Sequence, residues 1–161
     1  MKNQSCCILG SPPLSFPWGY DEEDESCVAL KLVLFNKITF LRNQGVTDFY
    51  VVIDAGIGLY AAEIINGLRE SDGELRLVCV VPWEGQATKW TPDLRDRYFS
   101  TMENCNDVRT VSPTHTLQCE IVAMLNAIDE VDHVIAIQGE DTALLSVALH
   151  YAERLNKQIE R

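Results

Sequence analysis

The sequence predicts an α/β fold, in which about five strands form a mainly parallel sheet within a three-layer α/β/α sandwich. Short runs of β-branched and aromatic residues alternate along the chain with longer segments whose apolar residues recur at helical spacing. Turn-forming glycine, proline and aspartate residues follow the short runs. Such alternation favours parallel strands joined by helices that cover both faces of the sheet. At 161 residues, without an internal repeat or a linker, the chain is expected to form one domain over residues 1–161.

The first part of the chain contains two predicted strands separated by a helix. Cys6–Leu9 is the first strand, and the loop that follows Gly10 is too rich in proline and glycine to be helical. From about Cys27 to Gln44 apolar residues recur with helical spacing, and Gly45 is well placed to end that helix. Phe49–Ile53 is a continuous β-branched and aromatic run, which is typical of a strand buried on both faces.

The middle of the chain repeats this pattern. Residues 57–68 have apolar positions at helical spacing, and Leu75–Val81 indicates a third buried strand. Thr91-Pro92-Asp93 is typical of a capped helix start, and Val108–Val111 is the fourth predicted strand.

The last part of the chain predicts two more helices around a fifth strand. Val122, Leu125 and Ile128 mark one helix, His133–Ile137 is the strand, and residues 144–155 form the final helix. Any strand near Ile159 is expected to be very short.

The composition is that of an ordinary water-soluble protein, with 47% apolar and 23% charged residues. Apolar runs such as Leu75–Pro82 are far shorter than the roughly 20 residues of a membrane helix. The stretch Cys6–Leu9 is too brief for the core of a signal peptide. We therefore expect a cytoplasmic protein with no membrane partner. The formal net charge of −11 repels a phosphate backbone, so nucleic acid is not an expected partner.

Two local features are interpreted as structural. The acidic run Asp21–Glu25 is expected to be a solvated loop ahead of the first helix, where negative charge favours the helix dipole. The cysteines form no CxxC pair and no zinc-like spacing with histidine, so we expect reduced structural thiols, no metal site and no cofactor. The six are Cys6, Cys7, Cys27, Cys79, Cys105 and Cys119.

The loops after the strands are the candidate binding site, because the carboxyl ends of parallel strands meet at one edge of the sheet. Gly56 and Gly58 precede a helix, and their free N–H groups are suited to holding an anion, although a tight strand-to-helix turn explains them equally well. Trp90 can contact a ligand or cover the core. The candidate residues are Gly10, Ser11, Gly56, Gly58, Gln86, Trp90, Ser112, Gly139, Glu140, Asp141 and Thr142.

Several short motifs resemble one family in their order along the chain. These are Gly10-Ser11-Pro12-Pro13 followed by Pro17-Trp18-Gly19-Tyr20-Asp21-Glu22, then Leu59-Tyr60-Ala61-Ala62-Glu63, Pro82-x-x-Gly85-Gln86-Ala87-x-x-Trp90 and Val111-Ser112. Together they resemble YpsA-like proteins of the SLOG superfamily, which implies a Rossmann-like fold. That superfamily includes the DNA-processing protein DprA, the Lonely Guy phosphoribohydrolases and proposed sensors of nucleotide-derived ligands. The resemblance implies no established enzymatic activity.

The sequence departs from this family where a ligand is expected. The departures are Pro12-Pro13 in place of an arginine-bearing loop, Val52 for a glycine, Gly58 for an acid, Ala123-Met124 for an Arg-Asn pair, and Glu140-Asp141 for Gly-Gly ahead of Thr142. At about 4 Å and an effective dielectric of 20, each like-charge pair costs roughly 4 kcal/mol, so a phosphate is disfavoured beside Glu140 and Asp141. Alternatively, Asp141 caps the last helix, or the two acids accept ribose hydroxyls or hold a cation.

These observations predict a binder or sensor of a nucleotide-derived or nucleoside-like small ligand rather than an enzyme. The alternative is a non-catalytic interaction or structural protein with a decayed pocket, and a homo-oligomer or a protein partner stays open. A Lonely Guy-type phosphoribohydrolase is less expected, because no acid follows Thr142 at the required helix spacing. Glu63 can act as a base, but a lone helix glutamate is more often a structural acceptor.

Overall fold

The computed structural model describes residues 4–161, and its centre is a six-stranded sheet in which every neighbouring pair is parallel. The strands are β1 (Gln4–Gly10), β2 (Val46–Val52), β3 (Arg76–Trp83), β4 (Asp107–Ser112), β5 (His133–Ile137) and β6 (Gln158–Glu160). The helices are α1 (Glu25–Asn43), α2 (Ile57–Arg69), α3 (Pro92–Asn104), α4 (Cys119–Asp129) and α5 (Ala143–Arg154). A short 3-10 turn spans Pro13–Ser15. The α/β sandwich is confirmed, with a sixth strand added where three residues pair with β5.

Two apolar clusters lie on the two faces of the sheet. Because side chains alternate along a strand, Cys6 and Ile8 of β1 pack in the cluster that contains α1, α2 and α3. Their neighbours Cys7 and Leu9 pack on the other face with α4 and α5. The adjacent cysteines therefore belong to different layers, and all six thiols of the chain are free.

The strand order β4-β3-β2-β1-β5-β6 creates a switch point beside β1. From β1 the chain builds outward through β2, β3 and β4, and α4 then carries it back to β5 on the other side of β1. The loops that leave β1 and β5 turn to opposite faces, so a crevice opens between them at the carboxyl edge. None of the helices in residues 4–161 combines the length and the apolar character needed to cross a membrane.

The acidic run before α1 is only partly a solvated loop. Asp24 caps α1, since its carboxylate accepts the Ser26 N–H at 2.8 Å. Glu22 is partly buried and its carboxylate contacts Lys31 and Arg97, both at 2.7 Å. Part of the acidic run therefore has a structural role. The sequence pattern does not reveal this role, because it depends on contacts with residues that are distant along the chain.

Gly58 allows the first turn of α2 to lie directly against the end of β2. A Cβ atom at this position would lie 2.2 Å from the Val52 carbonyl oxygen and 2.9 Å from Ile53 Cα, so backbone atoms would have to move. Gly67 lies on the same helix and is exposed, and a Cβ atom at that position would meet no other atom within 4 Å.

We predict that Gly58→Ala lowers the free energy of unfolding by about 3 kcal/mol through overpacking. The matched variant Gly67→Ala should raise it by about 0.5–1 kcal/mol, because alanine favours an exposed helix position. Urea unfolding followed by circular dichroism measures both. Equal effects of the two substitutions would contradict the proposed backbone contact.

Candidate functional site

A cavity of about 280 Å³ lies at the switch point. The ends of β1, β2 and β3 form its base, and the first turns of α4 and α5 form its sides. Its walls are largely apolar, and the apolar lining residues are Pro12, Pro13, Val52, Ile53, Pro82, Met124, Ala143, Leu144 and Leu145. The position agrees with the general rule for ligands in open parallel sheets.

The structure brings four of the candidate residues together in this cavity, namely Gly10, Ser11, Gln86 and Asp141. The other seven lie outside its lining: Gly56, Gly58, Trp90, Ser112, Gly139, Glu140 and Thr142. Trp90 packs edge-to-face on Tyr98, with 5.4 Å between ring centroids, and covers the core. Ser112 lies at the end of the edge strand β4, where its hydroxyl donates to the Thr114 carbonyl.

The N–H groups of Gly56 and Gly58 already have an anionic partner within the chain. Both donate to Asp54 Oδ1 at 2.9 Å. Asp54 is the second residue after β2, and its side chain folds back over the start of α2, the position where a helix would otherwise receive a bound anion. The backbone feature that indicated anion binding is therefore satisfied by the protein's own carboxylate.

The loop after β5 is tied to the 3-10 turn in a similar way. A Cβ on Gly139 would lie 2.2 Å from Ser15 Oγ, so the two segments are in close contact. The Glu140 N–H donates to the Ser15 carbonyl at 2.9 Å, and the Asp141 N–H donates to Ser15 Oγ at 2.8 Å. Asp141 Oδ1 in turn accepts the Ala143 N–H at 3.1 Å. Asp141 thus accepts the first N–H group of α5, whose N-cap residue is Thr142, and it also lines the cavity, whereas Glu140 is exposed outside it.

Three carboxylates line the cavity, each from a different segment: Asp54, Glu120 in the first turn of α4, and Asp141. None of the described lining residues is a lysine, arginine or histidine. Burial, reinforced by the charge of Glu120, raises the pKa of Asp54 to about 6, although the N–H groups of Gly56 and Gly58 lower it. The cavity therefore offers carboxylate acceptors of hydrogen bonds, and no cationic side chain among its described lining residues compensates their charge.

Ser11 adds a second polar feature to the cavity wall. The residue is 1% exposed, and its Oγ has no hydrogen-bond partner within residues 4–161. Its backbone N–H donates to the Ile137 carbonyl at 3.0 Å, which holds it between β1 and β5. A buried hydroxyl without a partner costs about 1–3 kcal/mol, so a ligand that bonds to it would gain affinity.

Across residues 4–161, no three His, Cys, Asp or Glu side chains lie close enough together to hold one ion. The three cavity carboxylates come from three different segments, so each can accept a hydrogen bond from a different donor group of an organic ligand.

Two of the three cavity carboxylates, Asp54 and Glu120, are not among the residues predicted from the sequence. The position of Asp54 directly after a buried strand was a usable signal, because that is where side chains reach the carboxyl edge. Glu120 carried no comparable signal, since its orientation depends on how α4 packs across the sheet. The proline and aliphatic walls were likewise visible only in three dimensions.

Glu63 is part of an ion-pair cluster away from the cavity. The Arg97 guanidinium binds Glu63 through Nη2 at 2.6 Å and Nε at 3.0 Å, and it binds Glu22 through Nη1 at 2.7 Å and Nη2 at 2.8 Å. Glu22 also accepts Lys31 Nζ at 2.7 Å. These contacts join the loop before α1 to α2 and α3, so Glu63 is a structural acceptor in this geometry.

Comparison with known proteins gives two matches. The model of the YpsA family, described as the YspA SLOG family, matches residues 7–143 of the chain. A UPF0398 protein of Bacillus velezensis is 24% identical over 83 residues, which cover 52% of this chain and 46% of that protein. The match thus spans about half the length of the curated relative.

The Arg97 cluster yields a stability prediction. Burial alone would raise the pKa of Glu22, but the hydrogen bonds from Arg97 and Lys31 lower it below its usual value. Arg97→Met leaves two half-buried carboxylates without this cation and should destabilise the protein by about 1–3 kcal/mol at pH 7.

Because the pKa of Glu22 is lowered by folding, its contribution is present above its unfolded pKa and is lost as pH falls through the folded value. The loss of unfolding free energy caused by Arg97→Met should therefore become smaller below about pH 4. Arg95→Met, on the same helix with only a 3.4 Å contact to the Thr88 carbonyl, is the control. Urea unfolding at several pH values tests this, and a deficit that does not depend on pH would contradict the ionic explanation.

The stability contribution of Asp54 is predicted to change with pH in the opposite direction to that of Glu22. Its pKa is raised by folding, so its stabilising contribution is present below its unfolded pKa of about 4 and is lost as pH rises through about 6. Asp54→Asn keeps an oxygen acceptor for the two N–H groups but has no charge to bury. We expect it to be more stable than the parent by about 1–3 kcal/mol at pH 7, with little difference at pH 4.

Denaturant midpoints between pH 4 and pH 8 measure this difference. Asp96→Asn, at an exposed position of α3, controls for a change in net charge. A destabilised Asp54→Asn protein at pH 7 would show that the carboxylate is needed in its charged form.

Proposed function

The chain belongs to the YpsA family of SLOG proteins, and from this premise we propose that it binds a small nucleoside-like ligand, without a phosphate group, in the switch-point cavity. The observation that carries the proposal is a small apolar cavity with three carboxylates and no cationic side chain among its described lining residues.

The size and walls of the cavity support a ligand of about the size of one nucleoside. Its volume of about 280 Å³ lies just below the range of about 300–1,000 Å³ that is usual for ligand pockets. Proline rings at Pro12, Pro13 and Pro82, together with Met124 and Leu144, offer apolar surfaces on which a planar base can pack. A dinucleotide would exceed this space.

The charges of the cavity support the absence of phosphate. Hydroxyl and amino groups of a nucleoside can donate to Asp54, Glu120 or Asp141, and such hydrogen bonds to charged acceptors are strong. A phosphate within about 4 Å of one of these carboxylates would lose roughly 4 kcal/mol at an effective dielectric of 20. The N–H groups that would otherwise offset this cost donate to Asp54 and Ser15.

Binding without catalysis is the function that this arrangement supports best. A phosphoribohydrolase has to hold a substrate phosphate, and the described lining has no basic side chain to do so. Glu63, the acid of the resembling motif, is held by Arg97 outside the cavity. A second candidate, a non-catalytic interaction protein, is favoured by the exposed apolar side chains of α1.

The cysteines support a reducing compartment. All six are free, and five of them are buried. Since disulfides are rare in the cytosol, we place the protein in the cytoplasm as part of the same proposal.

We predict that at least one of adenosine, guanosine, cytidine and uridine raises the melting temperature, while its 5′-monophosphate binds at least about tenfold more weakly. A ligand at 100 times its Kd adds about 2.7 kcal/mol to stability, so a thermal-shift panel should detect it. Isothermal titration calorimetry then gives the two affinities.

Variants that replace the cavity carboxylates with neutral amides test whether these charges exclude the phosphate group. The double variant Glu120→Gln with Asp141→Asn should bind the monophosphate at least about tenfold more tightly than the parent does, since two repelling charges are removed. Glu140→Gln removes the neighbouring charge outside the cavity and should change neither affinity. No shift with any nucleoside, or a parent protein that prefers the monophosphate, would refute the proposal.

A further inference from the structure

The carboxylates of the switch-point cavity have no cationic partner in the described part of the chain. Asp54, Glu120 and Asp141 line the cavity, and within residues 4–161 none of them forms an ion pair. By contrast, the partly buried Glu22 outside the cavity is paired with Arg97. Carboxylates that are withdrawn from water are normally paired, so a positive charge brought in by a ligand would balance this cavity.

The charges on the cavity wall act on one another. The negative charge of Glu120 adds to burial in raising the pKa of Asp54 to about 6, whereas the N–H groups of Gly56 and Gly58 lower it. A positive charge in the same space is attracted by each carboxylate as strongly as a negative charge at the same distance is repelled. The formal net charge of −11 adds a long-range attraction for cations.

The rest of the lining suits an organic cation. Pro82, Met124 and Leu144 give the same cavity apolar walls, against which a planar ring with a delocalised positive charge can pack. Ser11 is an independent indication of a ligand, because this cavity residue is 1% exposed and its Oγ has no hydrogen-bond partner within residues 4–161. A hydroxyl or carbonyl group of an organic molecule would supply that partner.

We propose that the nucleoside-like ligand of this cavity carries a positive charge on its base, as nucleosides methylated at a ring nitrogen do. This inference rests on the proposed function and names the ligand class within it. The charged base lies against Asp54, Glu120 and Asp141, and an oxygen of the base or the ribose bonds to Ser11. Exclusion of phosphate and preference for a cation have one physical cause, the negative charge of the cavity wall.

Two pairs of isomers separate the charge of the ligand from its size. At pH 7, 1-methyladenosine is a cation and N6-methyladenosine is neutral, and 3-methylcytidine is a cation and 5-methylcytidine is neutral. In isothermal titration calorimetry with the full chain, at least one cationic isomer should bind at least about tenfold more tightly than its neutral isomer. Sodium chloride should reduce this preference, because salt screens charges at a partly open site.

Two double variants test whether the cavity charges cause the preference. Glu120→Gln with Asp141→Asn should bring the affinities of the two isomers to within about threefold, because two of the three cavity charges are removed. The matched control, Glu70→Gln with Glu103→Gln, changes the net charge equally. These two glutamates are exposed near the C-terminal ends of α2 and α3, outside the cavity lining, so the preference should persist. Circular dichroism checks that both proteins are folded.

Ser11→Ala tests whether the ligand lies in this cavity. It should weaken the binding of the cationic and the neutral isomer by about fivefold each, while the unfolding midpoint of the free protein stays the same or rises, since the hydroxyl has no partner to lose in residues 4–161. Unchanged affinity in Ser11→Ala would overturn the inference.

The outcomes separate this inference from the proposed function. Neutral isomers that bind as tightly as the cationic ones would overturn the inference and leave the proposed function standing. Failure of these four nucleosides and of the unmethylated ones to bind would contradict both.

Discussion

The bond between the Asp54 carboxylate and the first N–H groups of α2 is the interaction on which the character of the site depends. It forms the turn from β2 to α2 and occupies the helix terminus that would otherwise attract an anion. It also places a carboxyl group, with a pKa raised to about 6, beside the cavity. These two hydrogen bonds therefore occupy the N–H groups that could bind an anion, and they place a carboxylate in the cavity wall. Glu120 and Asp141 add two more carboxylates to that wall.

The motif residues of the family resemblance contribute both to the cavity wall, at Gly10–Pro13, Pro82 and Gln86, and to the scaffold around it. Glu22 and Glu63 come from two separate motif segments, yet both bind the Arg97 guanidinium. Trp90 packs on Tyr98 rather than in the cavity. Matching motifs thus indicate that a chain can build the fold, because they hold loops and helices in place. The three carboxylates of the pocket, Asp54, Glu120 and Asp141, lie outside the matching motifs.

The cavity and the apolar face of α1 are linked by a single segment of chain. Pro12 and Pro13 line the cavity, the chain then passes through Glu22 in the Arg97 cluster, and α1 begins at Glu25. The two surfaces are therefore distinct, although they are close together along the chain.

The sequence by itself determined the alternation of strands and helices, the parallel sheet and most element positions, because burial on both faces requires continuous apolar runs and helix crossovers. It also indicated Ser11 and Asp141 from their places after strands. Only the tertiary structure decided which loop residues meet, because that depends on strand order and on where α4 crosses the sheet. It also revealed that the Asp54 carboxylate accepts hydrogen bonds from the Gly56 and Gly58 N–H groups. The same sequence pattern is expected when these N–H groups bind an anion, so the sequence could not distinguish the two arrangements.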